Sequence, residues 1–138
     1  MTSSAQNAIQ NLTPTTPQSM FTRYIFTIEH FSEIAKEIYY GAFMPDTTNE
    51  VSVYKIDKLT PTEIWDIVRK GSFGKKKKQN LKARGDIEAK NVTIDSLHLV
   101  PNTTGLHANI AGWPPSSDRV RQVNYATLLA SKATLHTL

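Results

Sequence analysis

Two histidines and one arginine stand where side chains commonly line a site, at a strand end or beside a turn. His30 follows a strand-like run, His107 opens another, and Arg84 begins the Arg-Gly-Asp sequence at residues 84–86. Two imidazoles and a cation, either Arg84 or Lys55, supply the groups for general acid–base cleavage of a phosphodiester without a metal. The spacing does not demand this chemistry. An enzyme of toxin or phosphoryl-transfer type that uses His107, His30 and Arg84 is therefore an alternative hypothesis.

Positive charge is concentrated in a single stretch of the chain. Lys75, Lys76, Lys77 and Lys78 are consecutive and are here called the lysine cluster. Their self-repulsion predicts a flexible basic loop over residues 71–80. A solvated loop needs no function, whereas one that contacts phosphates gives salt-dependent, sequence-independent affinity for nucleic acid. Phe73, at the base of the loop, is placed to stack on a base.

The first hypothesis follows from this charge. We expect a small binding protein that contacts nucleic acid or a ribonucleoprotein through a basic loop. The residues predicted to bind are Lys70, Lys75, Lys76, Lys77, Lys78 and Lys82. A third class, an inhibitor or immunity-type adaptor that binds a protein partner, stays open beside the enzyme and the nucleic-acid binder.

Residues 107–115, His-Ala-Asn-Ile-Ala-Gly-Trp-Pro-Pro, are expected to hold the scaffold together. Strand alternation places His107 and Asn109 on the same face. Gly112 permits a sharp turn, and Trp113, which precedes a proline, favours extended backbone. Trp113 and Asn109 are predicted structural anchors, because a tryptophan beside two prolines packs well. In the alternative interpretation, His107 and Asn109 form a donor and acceptor pair beside a helix N-terminus, which favours an anion.

Three segments of the chain carry a resemblance. Residues 52–56 (Ser-Val-Tyr-Lys-Ile), residues 64–65 (Ile-Trp) and residues 107–114 together resemble short uncharacterised bacterial proteins. In those proteins a strand like Ser-Val-Phe-Arg precedes a His-Ala-Asn-Ile-x-Gly-Trp-Pro segment. The similarity spans about residues 23–115 and implies no particular activity. Lys55 stands where arginine is expected, which weakens an anion-clamp role for this position.

Composition excludes several kinds of chemistry. The chain has no cysteine, which excludes disulfides, zinc–thiolate sites and cysteine nucleophiles. No metal-ligand signature, glycine-rich phosphate loop or nucleophile elbow is present, so we expect no metal and no cofactor. The formal net charge of +4 favours anionic partners. No apolar run approaches the roughly 20 residues of a membrane span and no secretory signal is evident, so a cytoplasmic protein without a membrane partner is expected.

The length of 138 residues is that of one domain. Residues 1–19 are predicted to form a disordered polar tail, and residues 20–138 a single domain. Strands are predicted over 21–29, 50–56, 92–100 (with a bulge at 95–96) and 107–111. Helices are predicted over 32–39, from Thr60 to Gly71, and from Ser116 or Ser117 to about 134. A turn is predicted at 84–86.

Two of these helices have further local predictions. Thr60 and Glu63 have the spacing of a capping box, with Pro61 at the first helical position. In the last helix the residues expected to face the core are Val120, Val123, Thr127 and Ala130. The order of elements predicts an α+β fold, a small mostly antiparallel sheet packed against two or three helices on one face.

Overall fold

A six-stranded antiparallel sheet forms the centre of the protein. The computed structural model describes residues 15–102 and 105–138. Its strands are β1 (Met20–Ile25), β2 (Phe31–Ser32), β3 (Glu37–Ile38), β4 (Val51–Lys55), β5 (Ala83–Glu88), β6 (His98–Pro101), β7 (His107–Ala111) and β8 (Thr134–Thr137). The main sheet has the strand order β6-β7-β4-β1-β5-β8, and β2 pairs with β3 in a separate hairpin. The helices in these ranges are α1 (Pro61–Arg69), α2 (Lys75–Asn80) and α3 (Arg119–Lys132), with 3-10 turns at Ile28–His30, Tyr40–Phe43 and Ala89–Asn91. The α+β prediction is confirmed.

The helices pack on both faces of the sheet, whereas the sequence predicted one face. Tyr24 and Ile25 are consecutive on β1 and therefore point to opposite faces. Ile25 belongs to the larger core, which includes Leu129 of α3, and Tyr24 belongs to a smaller core with Trp65 of α1. The cause is that the central strand is apolar on both sides, so each face needs its own cover.

The local signals of α1 and β7 are confirmed. The Thr60 hydroxyl accepts from the Glu63 N–H (3.2 Å), and the Glu63 carboxylate accepts from the Thr60 N–H (3.0 Å), which completes the capping box. On β7, Ala108 and Ile110 are buried, while His107 and Asn109 lie on the opposite, partly exposed face.

The helix predicted over residues 32–39 is wrong. This segment is the β2–β3 hairpin, and Lys36 has a φ of 54° at its turn. The Ser32 hydroxyl accepts from the Ala35 N–H (3.1 Å), a bond that closes a turn and does not cap a helix here. Ile34, the one isoleucine in the loop of this hairpin, is 99% exposed. With Ile38 as its one buried residue, the segment has too narrow an apolar stripe to hold a helix against the sheet.

Residues 84–86 are not a turn, because Arg-Gly-Asp lies within β5, between β1 and β8. Gly85 has a packing role there: a Cβ atom at this position would stand 2.7 Å from Cδ1 of Ile38. The predicted strand over 92–100 is correct only at its end, since β6 begins at His98 and Asp95 adopts a φ of 49°.

The last helix starts later than predicted, and of the four residues predicted to face the core it fully buries only Ala130. Asp118, rather than Ser116 or Ser117, caps α3 by accepting from the Arg121 N–H (3.3 Å). Val120, which was expected to face the core, is 72% exposed. The residues that α3 buries are Gln122, Tyr125, Ala126, Leu129 and Ala130. Gln122 is included because its amide donates to the carbonyl of Pro114 (2.9 Å), a partner that the apolar periodicity does not reveal.

The ordered domain begins before Met20. Ser19 is 5% exposed and its carbonyl accepts from the Ala89 N–H (2.8 Å), while the carbonyl of Pro17 accepts from the Lys90 N–H (3.0 Å). The last residues of the predicted tail are therefore bonded to the domain. The prediction of disorder for residues 1–14 lies outside the described residues.

Candidate functional site

The lysine cluster forms the helix α2 and not a loop. The N–H of Lys78 donates to the Gly74 carbonyl (3.1 Å), which closes the first turn. Lysine is a good helix former. Both ends of the segment are fixed to the smaller core, by Phe73 before the helix and by the buried Leu81 after it. This anchoring overcomes the charge repulsion from which the loop was predicted.

Among the described residues, the lysines of this region have no acidic partner, with Lys70 as the exception. Lys70 pairs with Asp66 (3.4 Å), its neighbour one turn earlier on α1. Within residues 15–102 and 105–138, the other predicted lysines form no ion pair with an acidic side chain: Lys75, Lys76, Lys77, Lys78 and Lys82. All but Lys78, which is half-buried, are exposed. The positive charge is therefore open to an external anion.

A row of aromatic rings lies directly beside α2. The ring of Phe73 is 5.6 Å from that of Tyr54, 6.1 Å from that of Tyr24 and 6.2 Å from that of Phe26. The ammonium of Lys77 stands 5.5 Å from the centre of the Phe26 ring and 5.9 Å from that of Phe73. A cation at this distance over a ring is attracted to its electron-rich face. Charge and aromatic surface therefore occur together.

An open cleft of about 410 Å³ adjoins this row of rings. It lies between the C-terminal end of α1, the segment after it and the strands β4 and β7. Its lining residues are Tyr54, Ile67, Gly71, Ser72, Phe73, Leu106 and His107. The pairing of β4 with β7 brings Tyr54 opposite His107, and their ring centres are 5.2 Å apart. The cleft therefore has one wall of three rings in sequence.

The contact with Asn102 and the partial burial of the ring both favour the neutral imidazole of His107. The amide nitrogen of Asn102 lies 3.1 Å from Nδ1 of His107, and since an amide nitrogen only donates, Nδ1 accepts and the ring proton is on Nε2. Burial lowers the pKa of His107, and the Glu50 carboxylate acts in the opposite direction. The half-buried ring keeps one N–H donor, at Nε2.

Arg84 belongs to a different part of the same sheet face. Its guanidinium lies 4.7 Å from the centre of the Trp65 ring, and Nε contacts the Asp86 carboxylate at 3.2 Å. The other carboxylate oxygen of Asp86 lies 3.4 Å from Nε2 of His136 on β8. Sequence reasoning missed His136 because β8 was not predicted. Arg84 is 5% exposed, so its charge serves the packing of α1 on the sheet.

His30 lies apart from both His107 and Arg84. Its ring packs against Gly41, where an added Cβ would come within 2.8 Å, and burial followed by the nearby Arg23 charge lowers its pKa. In the described part of the chain no hydrogen bond, ion pair or shared cleft joins any two of His30, Arg84 and His107. The structure does not bring the proposed catalytic set together.

Trp113 and Asn109 make internal contacts. Trp113 is 6% exposed, and its indole N–H donates to the Ile110 carbonyl (3.0 Å). Gly112, the residue before Trp113, has a φ of +86°, and a Cβ atom there would stand 2.1 Å from the Ser96 carbonyl oxygen. The Asn109 amide oxygen accepts from the Ser52 hydroxyl (3.4 Å) across the β4–β7 pair.

We expect the stability of the domain to fall as the pH is lowered from about 7 to about 5. The pKa values of His30 and His107 are both lowered in the folded protein. In this window the unfolded chain therefore binds more protons than the folded one, and acid favours unfolding. The measurement is the thermal midpoint by circular dichroism against pH. The H30Q/H107Q double variant should show a shallower decline, and an equal or steeper decline would contradict these pKa directions.

Comparisons give no relative from which a role could be transferred: no protein-family model, no curated protein and no solved structure matches this chain. The resemblance of residues 107–114 to short bacterial proteins stays a prediction. Over the described ranges, no group of three His, Asp or Glu side chains is placed to hold a metal ion. None of the helices described has the length and apolar character needed to cross a bilayer.

Proposed function

We propose that this protein binds nucleic acid, with the lysine cluster on α2 contacting the phosphates. The observation that carries the proposal is the lysine cluster, which has no acidic partner among the described residues and lies beside a cleft walled by Phe73, Tyr54 and His107. Lysines contact phosphates without reading sequence, and aromatic rings stack on bases. The arrangement favours this function over catalysis by His30, Arg84 and His107, which lack mutual contacts.

The energetics of α2 support the same partner. Like charges three or four residues apart on a helix repel, and positive charges in the first turn oppose the helix dipole. Lys75 and Lys78 are three residues apart, and Lys75 and Lys76 open the helix. A bound polyanion removes both costs, because it neutralises the cluster and releases its own counterions. The free protein thus has repulsion among its lysines that binding to a phosphate backbone would reduce.

The proposal extends to where the protein acts. A net charge of +4 favours anionic partners in general, and a ribonucleoprotein offers the same phosphate groups as free nucleic acid. We place this binding in the cytoplasm of a bacterium, in line with the resemblance at residues 107–114.

The experiment is a salt titration of binding to a fluorescently labelled single strand of about 12 nucleotides, followed by anisotropy. If the four lysines of the cluster each neutralise one phosphate, the logarithm of the association constant should fall with the logarithm of salt concentration with a slope of about −3. Absence of binding at low salt, or affinity that does not change with salt, would refute the proposal.

A further inference from the structure

We infer that the cleft between Phe73 and His107 takes an unpaired nucleobase, so that the protein prefers single-stranded nucleic acid to duplex. This inference rests on the proposed function and specifies its ligand. The lysine cluster alone would bind the backbone of either form, since both present phosphates. The cleft adds a surface that discriminates between them.

Phe73, Tyr54 and His107 form a ring wall along the cleft. The ring centres of Phe73 and Tyr54 are 5.6 Å apart, and those of Tyr54 and His107 are 5.2 Å apart. All three residues are half-buried, so each ring keeps surface open to a ligand. Bases stack on such rings whatever their identity, because every base has a π-face. In a duplex these faces are covered by neighbouring base pairs, so only an unstacked base reaches the wall.

The cleft has a size and a position that suit a single base. A volume of about 410 Å³ lies in the usual range of small-ligand pockets, about 300–1,000 Å³, and exceeds what a single base needs. Phe73 lines the cleft and also lies under the ammonium of Lys77. A nucleotide whose base enters the cleft therefore has its phosphate next to the lysine cluster. The two features fit the two halves of the same ligand.

His107 also offers the cleft a hydrogen-bond donor. Asn102 occupies Nδ1 of His107, which leaves Nε2–H as the donor of this ring. Among the described residues Nε2 has no hydrogen-bond partner. Ser72, a residue with a hydroxyl group, also lines the cleft. Base carbonyl oxygens and unprotonated ring nitrogens accept such bonds, and in a single strand these edges are unpaired.

The first arm of the test changes the ligand and leaves the protein intact. The affinity of the full chain is measured for a single strand, for a duplex of the same strand length, and for a single strand of abasic nucleotides. Loss of stacking on even one base predicts about tenfold weaker binding of the abasic strand, and weaker binding of the duplex by a similar factor. Equal affinity for all three ligands would overturn the inference and leave the phosphate contacts standing.

The second arm changes the wall. F73L retains apolar volume without an aromatic face, and H107A removes the ring and its donor. The matched control is H98A, which removes an exposed histidine from the neighbouring strand β6, outside the cleft. F73L and H107A should each weaken binding of the single strand about tenfold and leave abasic binding unchanged, whereas H98A should change neither. Equal affinities of F73L, H107A and H98A would overturn the inference.

The outcomes separate the two proposals. Salt-dependent binding of all ligands without preference removes the base site and retains nucleic-acid binding. Absence of binding to every ligand at low salt removes both. Preference for the single strand that F73L abolishes supports the base site. Each variant is checked by circular dichroism, so that a result counts only for a folded chain.

Discussion

Changing Lys75, Lys76, Lys77 and Lys78 together to glutamine is expected to weaken single-strand binding about 600-fold at about 0.1 M salt. Each phosphate contact with a single strand contributes about 0.7 to the salt slope, so four contacts account for nearly three decades of affinity relative to about 1 M salt. The slope itself should flatten by about three. Glutamine is the chosen replacement because its helix propensity matches that of lysine, so α2 should persist.

The control must remove equal charge elsewhere, since the cluster carries as much charge as the formal net charge of +4. Four exposed cations that do not line the cleft serve for this: Lys36, Lys90, Arg119 and Lys132. Their conversion to glutamine should reduce affinity less than the cluster variant does. If both variants lose affinity equally, net charge and not the lysine cluster determines binding.

Replacing Trp113 by alanine is expected to lower the free energy of unfolding by about 3–5 kcal/mol. The ring is 6% exposed and belongs to the larger core, where its centre lies 6.5 Å from that of Tyr125 of α3. Its removal leaves a cavity between β7 and α3 and removes the donor to the Ile110 carbonyl. Domains of this kind have about 5–15 kcal/mol of stability in total. Urea unfolding followed by circular dichroism measures the change.

W113F is the matched variant for this position. Phenylalanine retains most of the buried apolar area and loses the indole N–H, so the expected loss is smaller than for alanine. W113F should bind nucleic acid as the wild type does, because Trp113 does not line the cleft. A loss below about 1 kcal/mol for W113A would contradict the anchoring role.

The local signals of α1 and β7 predicted their elements well, whereas the helix over 32–39 and the loop over 71–80 were predicted wrongly. The α1 capping box depends on residues three apart, and the alternation of β7 depends on five consecutive positions. The errors occur where distant contacts decide. Arg84 and Asp86 lie in a strand because β1 and β8 pair on either side of it, and these partners are distant in the chain: 64 residues separate Thr22 from Asp86, and 48 separate Asp86 from Thr134. No property of the Arg-Gly-Asp sequence itself reveals those partners.

The residues of the candidate site likewise differ in whether the sequence alone could reveal them. The lysine cluster and Phe73 were visible as charge and aromaticity in one stretch of sequence. Tyr54 was not, because its role depends on the β4–β7 pairing that brings it opposite His107. The contact of Lys77 with Phe26 depends on how α2 packs over the end of β1. His107 was singled out correctly as a residue at a strand end, but its neighbours are aromatic and not Arg84 or His30.

The fold brings two surfaces next to each other, the lysine cluster and the ring wall formed by Phe73, Tyr54 and His107. The lysine cluster without the ring wall would be a solvated helix, and the ring wall without the cluster would be a partly exposed core. Lys77 joins them, since its ammonium lies over Phe73 at the border of the cleft. Together they match the charged backbone and the apolar bases of a single strand.

The most direct test is to titrate isotope-labelled protein with a short single strand and follow each backbone amide by NMR. The account predicts the largest shift changes at Phe73, His107 and the lysine cluster, and little change along α3 on the other face of the sheet. Absence of shifts at low salt, or shifts confined to α3 and the β2–β3 hairpin, would contradict it.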